Sequence, residues 1–241
     1  MTDPSAEQAR TALLVAASRA ALYGTVSRWL MHDLRGPAQA LALVTDLLEQ
    51  GDTLDEPSVR ASLQEASGRL HDLLLLLDQV LRQPDGNDEL RPILLREPLC
   101  TAVSLVRLQR SNVTLDAEPA LCTGLPAVRG VEEHILQALL SVLVNAYEAM
   151  ASRGRGTVRV WADARGDVVR ITIADDGPGV HPEVERRLFE PFVSTKAGRP
   201  LAGLGLWAAR ELLRRSGGAL QYERPARGAA FVLALPAWRP D

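Results

Sequence analysis

The sequence predicts an α+β protein: an N-terminal helical hairpin that forms a dimeric four-helix bundle, followed by an α/β sandwich. Three observations carry this. Apolar residues recur at Leu30, Leu34, Pro37, Leu41, Val44 and Leu48 in steps of three and four, the spacing of a helical-bundle seam. Beyond residue 90 the pattern becomes short apolar runs between helical ones, as where Val169, Ile171 and Ile173 alternate with Arg170 and Thr172. Between the two regions Gln83-Pro84-Asp85-Gly86-Asn87-Asp88-Glu89 is polar and turn-forming. The expected divisions are a hairpin domain at 1–83, a linker at 84–92 and a sandwich domain at 93–241.

The first helix is expected from about Ala6 to Gln50, because Ala and Leu dominate and only Gly24, Gly36 and Pro37 interrupt them. Pro37 should kink it and Gly51-Asp52 should stop it. A second helix starts after Glu56-Pro57, with Leu63, Leu70 and Leu77, and Ala66, Leu73 and Val80, on the same heptad. The apolar side of such a hairpin is wider than the hairpin alone can bury, so it is expected to dimerise. In the second half the pattern predicts a helix (98–109), a strand (112–116), a helix through Asn145, and two strands joined at Arg165-Gly166-Asp167. A helix from Leu204 to Arg215, capped by Gly217-Gly218, and a strand hairpin over 219–235 complete it.

A chain of 241 residues can hold two modest cores. Its net charge of −3 offers no basic surface for nucleic acid. The longest near-apolar run, Leu73 to Leu77, is far short of the roughly 20 residues that cross a bilayer, so no membrane insertion is expected. Met1-Thr2-Asp3-Pro4 lacks the basic and apolar segments of an export signal, which points to a cytoplasmic protein. Cys100 and Cys122 have no C-x-x-C spacing and are expected as reduced core thiols.

Chemistry concentrates in four stretches. The run Val168 to Ala174 ends in Asp175-Asp176-Gly177-Pro178-Gly179, which puts two carboxylates at the carboxyl end of a strand and lets the chain turn with no Cβ at Gly177 or Gly179. Asn145 and Glu148, three residues apart on a helix, face one side and offer the oxygen ligands a hard cation takes. Leu188-Phe189-Glu190-Pro191-Phe192-Val193-Ser194-Thr195-Lys196 reads as a loop. Gly203-Leu204-Gly205 then opens a helix whose amino end suits polyphosphate.

These four pieces, in this order, resemble the nucleotide-binding domain of the family that contains DNA gyrase B, the ninety-kilodalton heat-shock chaperones, histidine kinases and MutL, over residues 93–241. The resemblance implies ATP and Mg2+ as cofactors. It implies that Asp175 takes the adenine amino group, that Asn145 ligates magnesium, and that Phe189, Phe192, Lys196, Gly203 and Gly205 belong to the boxes bounding a lid over the phosphates. Gly177 and Gly179 are carried over with them. One departure is that the first glycine of the usual G-x-G-x-G box is Leu201 here.

His32 lies in Met31-His32-Asp33-Leu34-Arg35-Gly36-Pro37, two residues from both Leu30 and Leu34, and so nearly opposite the expected seam. This box, H-D-L-R-x-P, resembles the phosphoacceptor box of bacterial sensor histidine kinases. His71, without such a context, reads as a surface histidine. The implied activity is ATP-dependent autophosphorylation of His32 in a homodimer, with Asp33 as the base and the aspartate of a response-regulator receiver domain as the next acceptor. Two alternatives stay open: a phosphotransfer scaffold with a degenerate nucleotide domain, and an ATP hydrolase of the same superfamily. The hydrolases place a Glu four residues before the magnesium Asn, and Ser141 stands there.

Overall fold

The computed structural model describes residues 4–49, 57–81, 89–109, 112–117, 123–151, 153–194 and 201–239. Their contacts form two compact units, one of Tyr23–Gln83 and one of Met1–Leu22 with Pro84–Asp241. The sequence reading placed residues 1–22 with the hairpin. Ser18, which donates from Oγ to the Leu204 carbonyl at 3.4 Å, is one residue of that segment that touches the C-terminal half.

Helix α1 runs Pro4–Glu49 and passes through Pro37 as one element, and α2 runs Pro57–Leu81 with its proline in the first turn, where no amide is needed. In the Tyr23–Gln83 unit the buried residues of α1 are Val26, Leu30, Asp33, Pro37 and Val44; those of α2 are Ala66 and Leu73. The α2 seam is the expected one. On α1 the inner position between Leu30 and Pro37 belongs to Asp33, while Leu34 is only half-buried. A carboxylate is tolerated there because Arg69 of α2 reaches it, Nη2 to Oδ2, at 2.6 Å.

The C-terminal unit is a two-layer α/β arrangement. Its elements are β1 (Arg91–Ile93), α3 (Arg96–Arg107), β2 (Val113–Ala117), β3 (Val128–Gly130), α4 (Glu132–Ala151), β4 (Gly156–Arg165), β5 (Val168–Asp175), α5 (Pro182–Glu185), α6 (Gly205–Arg215), β6 (Ala219–Glu223) and β7 (Ala229–Pro236). Five strands form a mixed sheet in the order β2-β4-β5-β7-β6, parallel at β2–β4 and antiparallel elsewhere. Helices α3 and α6 pack on either side of α4, and α4 and α6 pack on the sheet. Val169, Ile171 and Ile173 of the central strand β5 are buried together with Val158 and Val160 of β4 and Phe231, Leu233 and Leu235 of β7, a core that is aliphatic apart from Phe231.

Helix α6 ends on Gly217, φ +73°, with Gly217 N–H donating to Arg214 O (3.0 Å) and Gly218 N–H to Leu213 O (2.9 Å), the left-handed cap the glycine pair predicts. The sequence reading omits β1, β3 and α5. It also errs on Cys100, which is exposed: the buried face of α3 is carried by Leu99, Ala102, Leu105 and Val106, and Cys100 turns away from it. Cys122 lies outside the described residues.

Candidate nucleotide site

The floor of the site is the carboxyl end of β5. Asp175 is 6% exposed. Its Oδ1 accepts the Gly177 amide at 2.9 Å. Burial pushes this carboxyl up from its ordinary value; hydrogen bonds from the Gly177 and Ala229 amides oppose that, and the charge of Asp176 adds to it. Asp176 has a different task. Its Oδ1 accepts the Thr157 amide at 2.8 Å, and its carbonyl accepts from Arg153 (3.1 Å) and Arg227 (3.2 Å), so it fastens the strand end to its neighbours. Of the two adjacent carboxylates, only Asp175 is held back from solvent.

Glycines make the wall. A Cβ on Gly177 would lie 2.7 Å from the Asp175 carboxylate, and one on Gly179 would lie 2.8 Å from the Gly228 carbonyl. Gly228, at φ +77°, packs directly on the Asp175 backbone, where a Cβ would overlap the carbonyl oxygen. Gly228→Ala is therefore expected to destabilise the protein by at least about 1–3 kcal/mol from the left-handed backbone alone, with the overlap adding to it. A lowered thermal midpoint checks this, and an unchanged one contradicts it.

Helix α4 passes this floor, since Met150 lies against both Gly156 and Gly177. Two and five residues earlier, Glu148 and Asn145 are half-buried. Gln137 and Ser141 continue the same face inward at spacings of four, 3% and 5% exposed, and neither Gln137 Nε2 nor Ser141 Oγ has a hydrogen-bond partner among the described residues. Such orphaned donors are costly unless they meet water or ligand. The far side is α6, whose first-turn amides, Gly205 to Trp207, have no carbonyl behind them in any α-helix. Gly203, φ +81°, sits on the Phe192–Val193 backbone, where a Cβ would come within 2.6 Å of Val193 O. This joins the two boxes that bound the loop.

Leu201 occupies the missing glycine position in a glycine-like conformation, φ +63°, and Phe192 does the same at +65°, its side chain 56% exposed. Phe189 is half-buried beneath Arg210, whose guanidinium lies 5.4 Å from the ring centroid. Lys196 lies outside the described residues. The structure thus brings Asp175 and Gly177 against the end of the Asn145–Glu148 helix, Gly179 against Gly228, and Gly203 against Phe192, while Gly205 opens α6, which packs on α4. His32 is exposed on α1 of the other unit. Gly228 and Tyr222 escaped the sequence reading. Burial and then the Asp175 charge raise the Tyr222 hydroxyl, against a hydrogen bond with the Val180 backbone.

Residues 130–239 match the histidine kinase-, DNA gyrase B- and HSP90-like ATPase family. Across the chain, the C4-dicarboxylate transport sensor protein DctB of Rhizobium meliloti is 27% identical over 230 residues, 92% of this chain and 36% of the relative. The signal transduction histidine-protein kinase AfsQ2 of Streptomyces coelicolor is 31% identical over 224 residues, 85% and 40%. A solved structure of the mycobacterial sensor histidine kinase MprB superposes with a TM-score of 0.52 at 26% identity, covering 61% of this chain and 98% of that one. Residues 130–239 are thus an ATPase domain of that family. Over most of its length the chain is similar to bacterial histidine kinases, and it spans 36% and 40% of the length of the two curated relatives named.

Proposed function

We propose that this chain is an ATP-dependent autokinase that transfers the γ-phosphoryl group of ATP to His32 and hands it to an aspartate on a response-regulator receiver domain, working in the cytoplasm. What carries the reading is a solvent-exposed His32 in its H-D-L-R-x-P box on the same chain as the glycine-walled cradle over Asp175. A neutral imidazole has one lone-pair nitrogen, which forms the N–P bond as the bond from phosphorus to the β,γ-bridging oxygen breaks and ADP leaves. The proton on the other ring nitrogen must then pass to a base, and Asp33 is the adjacent carboxylate.

The cradle suits a nucleotide. Asp175 would accept from the adenine amino group, the Gly205–Trp207 amides would meet the phosphates, and Gly177 and Gly179 let the backbone approach; the family resemblance adds Lys196 as a cation for the phosphates. Asn145, with Glu148 on the same face, would hold Mg2+, which would neutralise phosphate charge. Ser141 speaks against a hydrolase, because its buried hydroxyl cannot serve as a general base for water.

The test is incubation with γ-labelled ATP and magnesium. A labelled protein whose phosphate is lost in acid and kept in alkali is expected, the behaviour of a phosphoramidate; no label, or an acid-stable one, sinks the reading.

Assembly follows from the unpaired apolar surface of the hairpin. Met31 (66% exposed) and Leu43 (60%) on α1, with Leu74 (50%) and Leu75 (53%) on α2, face outward in the single chain. A second copy would cover such a patch. Solution scattering should give twice the 26.1 kDa chain mass, and a monomeric mass would overturn the homodimer.

A further inference from the structure

We propose that Tyr222 is a positioning residue for the base end of the nucleotide site: its hydroxyl pins the turn that carries Asp175, and so sets how well the site tells an amino group from an oxygen at purine C6. The inference deepens the autokinase reading and rests on its assignment of Asp175 to adenine. The turn from Asp175 to Val180 has Gly177, Pro178 and Gly179 in its middle, with Gly179 at φ +76°. The β6–β7 hairpin lies alongside it. Gly228 packs on the Asp175 backbone, and a Cβ on Gly179 would meet the Gly228 carbonyl at 2.8 Å. Arg227 donates from Nε to the Asp176 carbonyl at 3.2 Å. Arg224 pairs with Glu185 of α5, just past the turn. Between these, the Tyr222 hydroxyl is hydrogen-bonded with the Val180 backbone.

These contacts are unequal. The Arg224 and Arg227 side chains are 58% and 65% exposed, where ion pairs are screened and contribute little. Tyr222 is half-buried, and its ring meets Phe231 with centroids 5.6 Å apart at 48°. Strand register puts Tyr222 opposite Phe231, Phe231 opposite Ile173, and Ala229 opposite Asp175. Residues paired across strands, and residues two apart along one, share a sheet face, so Tyr222 and Asp175 lie on the same face. From there the hydroxyl reaches the residue that follows Gly179.

The Asp175 carboxylate is aimed by two amides, Gly177 at 2.9 Å and Ala229. Ala229 belongs to a paired strand, but Gly177 belongs to the turn, and a glycine backbone is ordered only by what surrounds it. Without the hold on Val180 the Gly177 amide loses its fixed place, and the carboxylate loses its direction. A contact that selects one donor needs its acceptor held to within about half an ångström.

The experiment is calorimetric titration of the full chain, with magnesium, using ATP and ITP; the latter carries an oxygen at C6 in place of the amino group. The parent should prefer ATP. Tyr222→Phe keeps the ring against Phe231 and removes only the hydroxyl. It should weaken ATP by about 3- to 10-fold, the effect of one hydrogen bond, and leave ITP within about twofold of the parent, so that the preference narrows. Arg224→Ala combined with Arg227→Ala should keep the parent preference within about twofold. If Tyr222→Phe melts early, titration well below its melting midpoint carries the same expectation. A tyrosine that served packing alone would lower both nucleotides alike. That pattern, a preference unchanged in Tyr222→Phe, or one that narrows only in the arginine variant, overturns the proposal. Equal binding of ATP and ITP by the parent would instead sink the adenine reading of Asp175, and the purpose given to Tyr222 with it.

Discussion

His32→Gln is expected to reduce labelling from γ-labelled ATP to background while nucleotide affinity stays at the parent value. The substitution removes the lone-pair nitrogen that would form the N–P bond, and Gln keeps a polar side chain of similar reach that cannot be phosphorylated as a base. The residue is exposed on α1, in the Tyr23–Gln83 unit, so no packing is lost and helix stability should change by only a few tenths of a kcal/mol. The proposed nucleotide contacts belong to residues of the other unit, from Asn145 to Gly205. Labelling and binding should therefore separate cleanly. Label retained on the variant would move the acceptor elsewhere, with exposed His71 on α2 the first residue to examine.

Much of this was readable from local pattern. Alternation around Ile171 gave β5, the spacing of Asn145 and Glu148 gave one face of α4, and Gly217-Gly218 gave the end of α6, each from a window of a few residues whose chemistry is self-contained. The omissions share a cause. Strands β1 and β3 are three residues each and pair with one another across more than thirty positions, too short for alternation to register. Gly228 matters only because β7 lies beside β5 and brings it onto the Asp175 carbonyl, a contact with no local trace.

Asp33 shows the limit most clearly. Steps of three and four fit Leu30-Leu34-Pro37 and Leu30-Asp33-Pro37 equally, and hydrophobicity favours the first. The interior takes the second because Arg69, on another helix, supplies the charge that makes a buried carboxylate tolerable. A seam read from one helix cannot include its partner.

Asp175→Asn separates binding from stability in opposite directions. Oδ1 of Asp175 accepts the Gly177 amide at 2.9 Å and the carboxylate also takes the Ala229 amide, which leaves lone pairs to accept from a ligand amino group. An asparagine there has one oxygen, which the Gly177 amide claims, and it would turn its own amino group towards the adenine donor. Affinity should fall by about 1.5–3 kcal/mol, roughly 10- to 150-fold, the worth of a hydrogen bond to a charged group. The unliganded protein should behave otherwise.

Burial raises this carboxyl in the folded state above its unfolded value of 3.8. The ionised form is thus penalised by folding, and the penalty is fully present above the folded midpoint, shrinks as pH falls through it, and is absent below about 3.8. Asn carries no such penalty. The variant should accordingly melt no lower than the parent at pH 7, and its advantage should diminish as both are acidified towards pH 4. Calorimetric titration with ATP and thermal melts across that range measure the two halves. Unchanged affinity would reduce Asp175 to a turn residue, and a variant that loses ground at neutral pH, but not in acid, would mean that the carboxylate stabilises the strand end rather than straining it.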